Sequence, residues 1–237
     1  MSIRRLSAIT VSSFFLVAPV LAQEAAVPAG GSDHVTAIKQ SLQQSMAALH
    51  QYRWVETTVV SIKGEEKSNT QKSCYYGADG AVQKTPIGEP GSEPKKKRGL
   101  RGRIVEKKTE EITGAMQEAI GLVKQYVPPD PARIQAAREA GNLSVVPPDD
   151  RGNVQVIIKD YLKAGDSLTL AANADTNRVS GMSVSSYTDS AKDAVGLKVT
   201  FETFADGTIY PATIDLEVAS QHLDVAITNS GNEKLES

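Results

Sequence analysis

Residues 195–218 read VGLKVTFETFADGTIYPATIDLEV. Val195, Leu197, Val199 and Phe201 alternate with Lys198, Thr200 and Glu202, and Ile214, Leu216 and Val218 alternate with Asp215 and Glu217. A period of two puts one set on each face of a strand. Asp206-Gly207 between the two runs is a turn pair. The stretch therefore predicts two antiparallel strands, 194–204 and 208–218, with one apolar and one wet face.

The pattern extends in both directions. Strands are expected at 143–146, 153–162, 167–174, 178–187 and 222–228. The turns between them fall at Gly165-Asp166, Asp175-Thr176-Asn177 and Asp189-Ser190. Short strands at even spacing make a sequential antiparallel meander. Upstream, Tyr52 to Ile62 is rich in Val, Thr and Trp and predicts another strand. Lys63-Gly64-Glu65 turns it into a polar partner over 66–76, and YGADGAVQ predicts a further hairpin around Asp79-Gly80.

Three helices are expected. Val35, Ile38, Leu42, Met46 and Leu49 recur at spacings of three and four, with Ser32 or Asp33 placed to cap. Ile112, Met116, Ile120, Val123 and Val127 make a second stripe, in a helix expected from about Ile104 to Val127. Pro128-Pro129 stops it, Asp130 caps a third helix with Pro131 in its first turn, and Gly141 ends that one. Residues 85–103, rich in proline and glycine, predict a loop. Amphipathic helices must bury their stripes and an apolar sheet face needs a cover. The fold class is α+β: a curved antiparallel sheet with helices on its concave apolar face.

The start of the chain follows another logic. Arg4 and Arg5 precede an apolar stretch from Ala8 to Leu21, with Val20 and Ala22 as small cleavage-site residues. This is the pattern of a secretory signal peptide over 1–22, cleaved after Ala22, and the protein is expected to be exported, to the periplasm or beyond. Residues 23–32 read as a flexible leader and 33–237 as a single domain, with a basic loop and helical insertion at about 85–141.

Without the two signal arginines the chain carries 24 basic and 28 acidic residues, a net charge of −4. Residues 95–108 alone hold eight Lys and Arg against Glu106. An acidic body thus carries one basic segment. No aromatic residue interleaves that segment for base stacking, and export removes a nuclear role. Solvated loop and contact with an anionic surface through Lys95, Lys96, Lys97, Arg98, Arg101 and Arg103 remain as its two readings.

Catalytic signals are few. The lone cysteine, Cys74, has no partner for an intramolecular disulfide, and the Tyr75-Tyr76-Gly77 that follows it suggests a strand end. His34 and His50 stand about 24 Å apart on one helix, at 1.5 Å per residue, so they share no metal. Neither HExxH, CxxC nor GxSxG occurs. Asp149-Asp150, Asp189 and Asp193 fall where turns favour aspartate. No metal, cofactor or nucleic acid is expected.

The layout resembles the LolA/LolB-like periplasmic lipoprotein carriers and uncharacterised exported bacterial proteins of that kind. The likeness rests on the helix from Val35 to Leu49, the strand carrying Trp54, YYGADGAVQKTP and the run 195–218. It implies a half-barrel holding a lipid, an acyl chain or a lipidated partner beneath a helical lid, without catalysis. Trp54, Val60, Val199 and Phe201 are the expected walls of such a cavity. The basic loop and the helices over 104–141 look like an insertion longer than the usual lid, and the family's functional inner-strand arginine has no assigned position here. Two other readings stay open: an envelope interaction or sensor module with a packed core, and a hydrolase.

Overall fold

The computed structural model describes residues 31–88, 100–150 and 152–235; of the helical residues 31–39 and 100–106 it describes the backbone. The expected signal peptide and the run Lys95 to Arg98 lie outside the described residues. Among the described residues three α-helices, α1 (Gly31–Leu49), α2 (Leu100–Val123) and α3 (Pro131–Glu139), accompany ten strands. These are β1 (Tyr52–Ile62), β2 (Glu65–Tyr76), β3 (Val82–Pro86), β4 (Leu143–Val146), β5 (Asn153–Lys159), β6 (Ser167–Asn173), β7 (Arg178–Tyr187), β8 (Ala194–Thr203), β9 (Ile209–Val218) and β10 (Leu223–Lys234). All ten join one open, curved antiparallel sheet in the order β3-β2-β1-β10-β9-β8-β7-β6-β5-β4.

The register explains why one face is dry. The cross-strand rows Val60–Val225, Leu216–Leu197–Val184 and Leu168–Ile158 put like with like. All of these residues are buried in one core cluster. Lys198, Asp215, Glu217 and Asp224, at the intervening positions, are exposed. A slip of one residue in any strand would turn its apolar set to water, which is what specifies the register. The Asp206-Gly207 turn forms as expected, with Gly207 at φ +90°, a conformation that excludes most other residues.

On the inner face, α2 buries Ile112, Met116, Ala119, Ile120 and Val123 in the same cluster. The third helix begins as its sequence predicts: the Asp130 carboxylate accepts from Ala132 N at 2.9 Å, and Pro131 sits in the first turn. The first helix lies against β7 and β9. Among the described residues, no helix is long and apolar enough to cross a membrane.

The largest differences from expectation are at the boundaries of three elements. The second helix spans Leu100–Val123 rather than 104–127, which places Arg101 and Arg103 on helical backbone instead of in a loop; the glycine in this added turn, Gly102, costs a helix only about 1 kcal/mol. Strand β5 ends at Lys159 rather than 162, because residues 160–166 form a loop closed by Asp160 N donating to Asp166 O at 2.9 Å. Strand β10 runs six residues past Thr228, since its polar end pairs with β1 from Val55–Ser230 to Tyr52–Lys234.

Candidate functional site: the cleft where the sheet divides

Pairing between β9 and β10 stops at Thr213–Thr228. Beyond it β10 stays with β1 as far as Lys234, and β9 stays with β8 as far as Ile209–Thr203. The two wings of the sheet therefore part at the end that holds Tyr52, Ile209 and Lys234. A bulge in each wing, at Arg53/Val55 and at Thr200/Phe201, marks the divergence. Bulges bend and twist the strands that carry them.

Polar and aromatic side chains span the opening. The Asn229 amide donates from Nδ2 to Pro211 O at 2.8 Å. The Tyr52 hydroxyl donates to Asp206 Oδ2 at 2.6 Å, which holds the Asp206 carboxyl down at about 2. Tyr52 stacks on Phe204 at 4.7 Å between centroids, and Phe204 on Tyr210 at 4.1 Å. Ser45 of α1 closes one side: its Oγ accepts from Ile209 N at 2.9 Å and donates to Ser41 O at 2.8 Å.

The inner face changes character as it reaches this cleft. Along β1 the inward positions run Val60, Thr58, Glu56; along β10 the opposite ones run Val225, Ile227, Asn229. Glu56 is buried, 3% exposed. Lys84 Nζ reaches both of its carboxylate oxygens at 2.6 Å, and this ion pair is almost wholly inside the protein. Such a pair is tolerated because each charge is matched, and removing one partner costs about 3–5 kcal/mol. Lys72 stands directly across from Glu56 on β2. Asn229 Oδ1 is buried and has no hydrogen-bond partner among the described residues. Its orientation is settled, because the opposite flip would turn an acceptor toward Pro211 O.

The expected site residues divide into two groups. Val60 and Val199 are buried in the core cluster and Phe201 packs against it. Trp54 is half-buried and outside that cluster. It pairs with Cys74 across the strands and tilts against Tyr76 at 5.6 Å; Tyr76 in turn stacks on His50 at 4.4 Å. Cys74 is fully buried, and burial pushes its thiol up to about 11. It is thus a thiol rather than a thiolate at neutral pH. Arg101 and Arg103 are on α2, and Lys95, Lys96, Lys97 and Arg98 lie outside the described residues.

Sequence reasoning missed Glu56, Lys84, Asn229 and Ser45. Glu56 carried the one legible signal, a lone acid at an inward position of an apolar strand. Lys84 is 28 residues away and Asn229 173 away, so only pairing brings them together.

At the opposite end of the sheet lies a second buried polar cluster. The Tyr126 hydroxyl, just past α2, donates to Asp166 Oδ2 and accepts from Ser186 Oγ at 2.8 Å. Asp166 also accepts from Leu162 N at 3.1 Å and Lys163 N at 2.9 Å. All three side chains are buried. This cluster ties the C-terminal end of α2 to the sheet.

No protein-family model matches this chain, and no curated protein matches it. Two solved structures are similar in layout. One is a LolA superfamily protein from Nitrosomonas europaea, 10% identical, with 84% of this chain and 94% of that one covered and a TM-score of 0.37. The other is a DUF1329 family protein from Desulfovibrio piger, 8% identical, with 86% and 92% covered and a TM-score of 0.34.

Proposed function

We propose that this protein is an exported, periplasmic holder of a lipid, an acyl chain or a lipidated partner, seated between the curved sheet and α2. The observation that carries the reading is the unbroken apolar inner face. It runs from Val60 through Ile227, Leu216, Leu197 and Val184 to Ile158, under a helix that meets it with Ile112, Met116, Ile120 and Val123. Lifting those four side chains exposes about 6–12 kcal/mol of burial, at about 1.5–3 kcal/mol each. An acyl chain of about 15 methylenes returns about 12 kcal/mol at about 0.8 kcal/mol each. A long chain therefore offsets the exchange and a short one does not. The pattern of Arg4, Arg5 and the apolar run to Leu21 supports export. The basic segment from Lys95 to Arg103 supplies a contact for an anionic membrane surface or acidic partner.

The competing reading is an interaction module with a permanently filled core. Full burial of Met116 and Val123 favours it. Extraction of the protein, purified from envelope fractions, with organic solvent followed by mass spectrometry separates the two. Stoichiometric long-chain lipid supports the holder. Repeated absence of lipid, together with no uptake of C16–C18 chains on reconstitution, sinks it and leaves the module.

A further inference from the structure

We propose that Asn229 Oδ1 is the acceptor for a neutral hydroxyl on the headgroup of the ligand, so that the preferred occupant is a hydroxyl-bearing acyl lipid of the monoacylglycerol kind. The inference rests on the holder reading and assigns the ligand's chemistry and direction.

Three observations point the same way. First, the inner face is apolar from Val60 and Val225 onward and turns polar at Glu56 and Asn229, two cross-strand rows away. Rows on one face of a strand are about 7 Å apart. An amphiphile along this face has its tail under α2 and its head at the cleft. Secondly, Asn229 Oδ1 is a buried acceptor whose amide is locked by its bond to Pro211 O. A buried acceptor left without a donor is costly, so a ligand that brings one gains what the protein otherwise forgoes. Thirdly, the local charge selects among donors. Lys84 already engages both oxygens of Glu56, and Lys72 faces Glu56 across the pair. An ammonium headgroup would meet two lysines and one carboxylate. A hydroxyl brings a proton to share and no charge to bury.

The cleft is also where such a head would be reached from outside. Pairing between the wings has ended there, and the gap is bridged by side chains, those of Asn229, Tyr52 and Phe204, instead of a backbone ladder.

The test is native mass spectrometry of the delipidated full mature chain with three probes of one chain length: monooleoylglycerol, methyl oleate and oleylamine, an ammonium amphiphile with neither hydroxyl nor phosphate. The expected result is a preference of about tenfold for monooleoylglycerol over methyl oleate, the size of a hydrogen bond that satisfies a buried acceptor. The ammonium lipid should gain nothing from its amine. In Asn229→Leu the preference for monooleoylglycerol over methyl oleate should collapse to about one. Equal binding of monooleoylglycerol and methyl oleate by the unaltered chain overturns the headgroup assignment and leaves the holder reading standing. Tightest binding of the ammonium lipid overturns it as well. Binding of none of the three overturns both. Because the comparison among lipids uses the unaltered chain, a failure of Asn229→Leu to fold does not remove the test.

Discussion

Replacing Tyr126 with Phe should destabilise the protein by about 2–3 kcal/mol. The ring is fully buried and keeps its stack on Tyr161 at 5.4 Å, so the substitution opens no cavity. What is lost is the hydroxyl. Asp166 keeps the backbone donors of Leu162 and Lys163 and loses the side-chain donor at Tyr126. A hydrogen bond to a charged group contributes about 1.5–3 kcal/mol, and Ser186 Oγ is left with a buried hydroxyl to satisfy. For a domain of this size each kcal/mol lowers Tm by about 2–4 °C, so the midpoint should drop by about 4–12 °C. Urea titration of Tyr126→Phe, Ser186→Ala and the double variant measures the loss and the coupling. A cost below about 0.5 kcal/mol for Tyr126→Phe, or strict additivity of the pair, would refute the cluster as a tie between α2 and the sheet. Alkali gives an independent check. Burial and the neighbouring Asp166 raise the Tyr126 pKa above the usual phenol value. The folded chain then keeps a proton that the unfolded chain releases above about pH 10, so stability falls as pH rises past 10. In Tyr126→Phe that fall should be shallower.

Cys74, fully buried with its thiol pushed up to about 11, should resist a disulfide reagent at pH 8 in the folded protein and react at once in urea; fast reaction in the native state would contradict its burial. The Asp206 carboxyl is held at about 2, so its contribution is present above about pH 4 and lost as pH falls toward 2. With the side chain 40% exposed, Asp206→Asn should cost about 0.5–1 kcal/mol at pH 7 and much less at pH 2, followed by urea midpoints at both values. Reversing the charge of Lys95 to Arg98 should leave the far-ultraviolet circular dichroism and Tm unchanged and weaken flotation with anionic vesicles; unchanged flotation would return this run to a solvated loop.

Most of the fold could be read without coordinates, and for a local reason. A strand with one wet face must alternate, and a helix lying on an apolar sheet must repeat at three and four. Val195 to Phe201 and Ile112 to Val123 do so without interruption. The turns Asp206-Gly207 and the cap at Asp130 are likewise properties of two or three adjacent residues. The far end of β10 was illegible because a distant partner decided it. The end of β10 is polar and does not alternate, yet β1 extends it to Lys234 by supplying backbone donors and acceptors. The stripe on α1 was legible, but its buried serine was not, because Ser45 is buried in order to accept from Ile209, 164 residues later.

The sequence by itself determined the periodicities: which face of each strand is apolar, which side of α2 turns inward, and that one basic segment rides on an acidic body. Such features need only neighbours a few positions away, because helix and strand geometry are local. Tertiary structure alone decided where the sheet divides, and so which polar residues meet there. Glu56, Lys84 and Asn229 come from three separate strands, and their encounter is a consequence of register. Register is set by how the whole apolar face is buried, an energy spread over ten strands and visible in none of them singly.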